Sequence, residues 1–229
     1  MKNKPAKTVS RRARPAKAPL SVEAIVDAAL EIMAREGLYS LGMRKIAAAL
    51  DTGPASLYVY VDNFDSLRSL ILDRALAKVT VPAPSRGDWR ERLSIVLLSY
   101  MKVLMSMRGL GQLALTVISV GPGSMRLLEA VLALLREGGV EDDRATWAVD
   151  TLLLQFAALA AEQDAHSYLA RPPELGSVRQ ALEALSPETY PNLHALRKKL
   201  LEGTPRVRVR WTLNVLINGV LNTPRAKSE

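Results

Sequence analysis

Two histidines and no cysteine leave little for catalysis in this sequence. His166 stands near Glu162 and Asp164, but in no metal-ligand spacing. Neither it nor His194 belongs to a Ser-His-acid set, and no Gly-rich phosphate loop occurs. No catalytic residue, metal or cofactor is therefore expected. The chemistry on offer is recognition of anions. Residues 1–20 hold seven Lys or Arg and no acid, residues 197–229 hold eight against two, and the stretch between is mildly acidic, within a net charge of +8. Basic ends of this kind meet phosphates, or serve as solvated tails. Near the chain's first quarter, Ser56, Tyr58 and Tyr60 bring hydroxyls that reach phosphates or bases. Leu57 and Val61, four residues apart, can hold that short segment down.

The elements that must position these groups read as helices throughout. With 229 residues and 48% hydrophobic content, the chain affords one large domain, or a small and a medium one, each with a core. The absence of cysteine excludes disulfides and fits a cytoplasmic protein. No membrane span is expected. The longest uncharged run, 109–125, is broken by Gly111, Gly121, Pro122 and Gly123, whereas a span wants roughly 20 mostly apolar residues. The basic start leads into no apolar signal segment. Residues 1–19, with Pro5, Pro15 and Pro19, read as a disordered basic arm. From Ser21, a helix cap, Ile25, Ala28, Ala29, Ile32 and Met33 repeat on one helical face, and Gly37 stops it. Short helices are expected over 43–50 and 54–60, the latter led by Pro54, with a turn at Asp51–Gly53 between them. Asn63 caps a fourth helix to about Val79. After the break at 81–87, helices are expected over 88–107, 110–120, 123–137 and 142–169. A loop follows over 171–188 with at most a short helix at 177–185, then helices over 188–202 and 205–222. The alternation Arg206-Val207-Arg208-Val209-Arg210 also fits a strand, but a lone strand would have no partner, which favours a helix led by Pro205.

The fold class expected is all-α: an N-terminal three-helix helix-turn-helix domain with its connecting helix (20–79), a larger helical domain (80–222) and a tail (223–229). In a helix-turn-helix the second helix enters the major groove. The details are more specific than the spacing. The stretch IVDAALEIMAREGLYSLGMRKIAAAL, followed by PASLYVYVDNFDSLRSLIL, resembles the TetR family of transcriptional regulators over about residues 21–71. The resemblance rests on Ile46-Ala47, Ser56-Leu57-Tyr58, Tyr60-Val61, and Asn63 with Leu67. Met43-Arg44-Lys45 adds the cadence of the tetracycline-repressor subgroup. It implies that Arg44 reads a base or clamps a phosphate. It also places Pro54, Ala55 and Ser56 at the major-groove edge, Tyr58 and Tyr60 on phosphate or sugar, and the N–H groups from Asn63 to Asp65 at a phosphate. This chain departs from the pattern at Asp62 and Phe64, where lysines are usual, and at Asp51, which replaces the turn glycine. The basic arm, Lys2 to Lys17, is expected to compensate from the minor groove. Pro54 and Ala55 leave thymine methyls as their natural contacts.

In the larger domain, Trp147, Thr151, Gln155, Ala158, Glu162 and His166 form a mixed line on one helix, and Tyr100, Met101, Met105 and Met107 lie on another. Tyr100, Met101, Met105, Trp147, Thr151 and Gln155 are the candidate effector-binding residues. Helices 142–169 and 205–222 could pack with their symmetry mates as a homodimer interface. The function expected is a repressor that binds a palindromic operator in double-stranded DNA and is released by a small, largely apolar effector. The alternative is a non-DNA helical adaptor or membrane-surface protein with basic ends.

Overall fold

The computed structural model describes residues 19–168 and 175–224, with side chains over 19–165 and 176–224. The described residues form eleven α-helices and no strand. Helix α1 (Val22–Glu36) begins where Ser21 accepts the Ala24 N–H at 3.2 Å, and ends at Gly37, whose φ of +82° takes the chain out of the helix. A short 3₁₀ turn leads to α2 (Met43–Ala49) and α3 (Pro54–Leu57). Between them Asp51 adopts φ +49°. It does the work of the usual turn glycine, as a short polar side chain can in the left-handed region. Helix α4 (Phe64–Leu76) starts at Asn63, whose Oδ1 accepts the Ser66 N–H at 2.8 Å. These four helices close over Ile25, Ile32, Ile46, Leu57, Leu67 and Ile71, all fully buried.

The larger part comprises α5 (Trp89–Leu104), α6 (Leu110–Thr116), α7 (Pro122–Glu137), α8 (Asp142–Tyr168), α9 (Leu175–Glu183), α10 (Pro191–Leu200) and α11 (Pro205–Asn222). Helix α8 is the central post, packed by α5, α6 and α7 and more lightly by α11. Phe156 on α8 is fully buried. At Gly111 an added Cβ would lie 2.7 Å from the Ala161 backbone nitrogen, so only glycine lets α6 approach α8 this closely. Asp164 fixes the start of α6 by accepting the Gly109 N–H at 2.7 Å, which gives that carboxylate a structural task. Helices α9 and α10 pack on each other.

Several boundaries differ from the sequence reading. Helix α3 ends at Leu57 rather than residue 60, because the chain must turn there to return Val61 to the core. Helix α5 ends at Leu104 rather than 107, and α10 begins at Pro191 rather than 188. Helix α6 stops at Thr116, four residues early. From Val117 (φ −122°, ψ 128°) the backbone is extended and lies along α4. There the Ser119 hydroxyl donates to the Ser69 carbonyl (3.3 Å), and the Ser69 hydroxyl donates to the Ile118 carbonyl (3.4 Å). Two β-branched residues and tertiary hydrogen bonds outcompete the helical ladder here. Residues 206–210 are helical, with Pro205 in the first turn and Thr204 capping Val207.

Candidate nucleic-acid interface and internal cavity

The α2–turn–α3 unit presents one coherent outer face. Leu57 and Val61 point into the core, and this leaves Pro54, Ala55, Tyr58 and Tyr60 exposed and Ser56 half-buried. Arg44 at the start of α2 is exposed and makes no hydrogen bond or ion pair among the described residues, whereas its neighbour Lys45 is held by Glu36. The sequence-predicted positions therefore share a surface. Asn63 stands apart in role: its side-chain oxygen is occupied by the Ser66 N–H and hydroxyl. Exposed Asp62 and Asp65 flank the same helix start. An anion approaching the α4 N-terminus meets the Asp62 carboxylate, which opposes the helix dipole's attraction, and Asp65, which Arg68 partly neutralises at 3.1 Å. Val59 belongs to the outer face too. It is 78% exposed between the two tyrosines, and a valine carries no signal in sequence that marks it for a surface. The basic arm lies outside the described residues, as does the His166 side chain.

Beneath this unit, α4 forms one wall of a half-open cavity of about 480 Å³ lined also by α5, α6, the 117–119 segment, α7 and α8. Its lining is mostly aliphatic, with Leu72 and Leu76 contributed by α4. Two hydroxyls stand out. Tyr100 is buried and makes no hydrogen bond among the described residues, and burial pushes its phenol well above the ordinary tyrosine range, so it is a neutral donor. Ser124 is 5% exposed and its Oγ has no partner. Asp150 and Thr116 add polar groups to the lining.

The six sequence-predicted effector residues do not converge. Tyr100 lines this cavity. Met101 and Met105 line another, of about 430 Å³, against α11, and Trp147 and Thr151 line a third hollow between α8 and α11. Gln155 is half-buried and lines none of the three. Ser124, Thr116 and Leu72 escaped the sequence reading because they come together only when α4, α6 and α7 pack.

The profile described as bacterial regulatory proteins of the tetR family matches residues 25–68, and that of the tetracyclin repressor-like C-terminal domain matches residues 81–222. The chain belongs to the TetR family. Solved structures of ActR from Streptomyces coelicolor, one apo and one in complex with (S)-DNPA, superpose with TM-scores of 0.80 at 33% identity. These matches cover 89% and 90% of this chain and 98% and 100% of ActR. The HTH-type transcriptional repressor DrrR1 of Streptomyces coeruleorubidus is 35% identical over 133 residues, 56% of this chain and 49% of DrrR1. The class E tetracycline repressor of Escherichia coli is 27% identical over 168 residues, 69% of this chain and 79% of that protein. The chain thus spans about half the length of the first of these curated relatives. The family is one of transcriptional regulators, not of enzymes, and no helix among the described residues is long and apolar enough to cross a membrane.

In this TetR-family regulator the cavity and the DNA-binding unit share α4, and α4 is tied tightly to the cavity's other walls. Asp73 accepts the Ser124 N–H at 2.8 Å, at the start of α7. Arg126, two residues on, donates to the Ala77 and Val79 carbonyls at 2.8 and 2.7 Å, closing the far end of α4. Gly123 touches α4 so closely that a methyl there would overlap the Asp73 carbonyl oxygen. Arg68 reaches the Thr116 hydroxyl at 3.1 Å. The cavity thus borders, through Leu72 and Leu76, a helix that also packs against the helix-turn-helix domain.

Proposed function

We propose that this TetR-family protein is a repressor that binds a palindromic operator as a homodimer and is released by a small, largely apolar effector. The observation that carries the reading is the cavity walled by α4, with the unpartnered Ser124 hydroxyl and the neutral Tyr100 phenol over a mostly aliphatic lining. It suits a ligand with an apolar body and one or two acceptor oxygens. The ActR structures with (S)-DNPA and actinorhodin, at 33% identity, support effector binding in this fold. Dimerisation is supported by α11 and α8. Val207, Trp211 and Val215 repeat every four residues along α11 and stay exposed, Trp211 at 67%, and exposed Trp147 of α8 lies against the Val215 end of that stripe. A two-fold interface built there sets two α3 helices for half-sites about 34–36 Å apart or somewhat more. Arg44 and the Ser56–Tyr60 face make the contacts to DNA, and the basic arm supplies the phosphate-seeking charge missing at Asp62 and Phe64.

The deciding experiment is an electrophoretic shift on the gene's own upstream DNA at two salt concentrations with random competitor. Retention at nanomolar protein that competitor does not abolish supports the reading. Equal loss to competitor overturns it for that DNA and shifts attention to Asp62 and Phe64.

A further inference from the structure

We propose that the protein carries a second small-molecule site, between α5, α8 and α11, that takes an amphipathic carboxylate: an apolar body held over methionines, with its anionic head between Arg206 and Arg210. The stripe of α11 that faces its own subunit runs through positions 206, 210, 213 and 217. Leu213 and Ile217 on that stripe are buried in the core. One and two turns earlier the same stripe carries arginines. They overhang a cavity of about 430 Å³ floored by Leu98, Met101 and Met105 of α5 and Leu159 of α8, a volume within the ~300–1,000 Å³ of small-molecule pockets.

The charges around this cavity do not cancel. Arg208 also lines it, but its guanidinium is spent on the Leu200 and Glu202 carbonyls at 2.6 and 2.7 Å, fixing the turn from α10 into α11. Arg206 and Arg210 are exposed and make no hydrogen bond or ion pair among the described residues. Glu162 is the single acid among the described lining residues. A cationic edge over an apolar floor is matched by a ligand of the same two-part build. The planar guanidinium favours a carboxylate head through paired charge-assisted hydrogen bonds. The methionines adapt to the body's shape.

This site shares no lining residue with the cavity walled by α4. That cavity offers neutral hydroxyls, and this one offers cations. The two therefore select different ligands, and the second stands whether or not the first is the effector site.

The test is calorimetric titration of the full-length protein with sodium decanoate near neutral pH, with decanol as the neutral control. We expect decanoate to bind at least tenfold more tightly than decanol. The double variant R206Q/R210Q should weaken decanoate at least tenfold, and both substitutions lie on exposed side chains. Met105→Trp, which fills the cavity from the opposite side, should weaken it as well. Leu154→Trp, which crowds the α4 cavity, should leave it unchanged. The proposal is overturned if wild-type protein does not bind decanoate, if decanol binds equally, or if R206Q/R210Q binds as the wild type does. It is equally overturned if Leu154→Trp abolishes binding, which would place the anion in the α4 cavity.

Discussion

Replacing Ser124 by alanine separates the cost of the cavity from its use. The Ser124 Oγ is buried without a partner, while its N–H is engaged by Asp73. The substitution removes only the hydroxyl. A buried unsatisfied polar group costs about 1–3 kcal/mol, and a water in the cavity would recover part of that. Alanine is also the better helix former in the first turn of α7, by a few tenths of a kcal/mol. Both effects have the same sign. S124A is therefore expected to be more stable by about 1 kcal/mol, which for a chain of this size raises Tm by about 2–4 °C. The assay is thermal unfolding by circular dichroism at matched protein concentration, since dimer formation also shifts Tm. Operator affinity should be unchanged, because the side chain touches neither α2 nor α3. Release by the effector should require about two- to tenfold more ligand, the value of about one lost hydrogen bond to a ligand oxygen. A lower Tm would refute the account of Ser124 as an orphaned donor. A higher Tm with unchanged effector potency would refute its role in binding.

Arg44→Ala should weaken operator binding by about 1–3 kcal/mol if it reads a base, with specificity relaxed at one position; a uniform loss and a shallower salt slope in the same shift assay would make it a phosphate contact instead. Gly111→Ala should lower Tm despite the better helix propensity. The new methyl meets the Ala161 backbone at 2.7 Å, and overpacking of about 1–3 kcal/mol outweighs a gain of about 1. An unchanged or raised Tm would mean that α6 can back away from α8. Trp211→Glu places a charge in the exposed stripe of α11 and should shift the protein from dimer to monomer in sedimentation, with operator affinity falling alongside; an undisturbed dimer would move the interface off α11.

Helix existence was legible because its determinants are local. Ser21, Asn63 and Thr204 cap the helices whose starts they precede in sequence, and Asp51 takes the left-handed turn that its replacement of glycine requires. The exposed face of the α2–turn–α3 unit was legible for the same reason, since α2, the turn and α3 are contiguous and Leu57 and Val61 fix which side faces out. The extended segment after Thr116 was not legible, because the hydrogen bonds that hold it open come from Ser69, about fifty residues earlier. The effector residues failed to converge for a related reason. Helical periodicity assigns a residue to a face but does not say which neighbour covers that face. Met101 and Tyr100 are adjacent in sequence, yet their side chains line different cavities.

The arrangement around α4 explains why a cavity in the larger domain can matter to DNA. A helix that merely touched a ligand could adjust by moving its own side chains. Here that freedom is restricted at the C-terminal end of α4: Asp73 holds the start of α7, and Arg126 of α7 holds the Ala77 and Val79 carbonyls just beyond the helix. Gly123 leaves no gap to absorb a shift. Along the same helix, Ser69 and Arg68 are bonded to the segment that closes the cavity. The remaining compliant motion is of α4 as a body, and Leu67 and Ile71 pass that motion to the core on which α1, α2 and α3 sit. Because packed interiors shift between discrete arrangements rather than deform smoothly, the proposed effector release follows if a displacement of α4 reorients α3. A coupling of about 1–3 kcal/mol, enough for a 5–150-fold change in affinity, is of the order of one or two of the hydrogen bonds that now fix the helix in place.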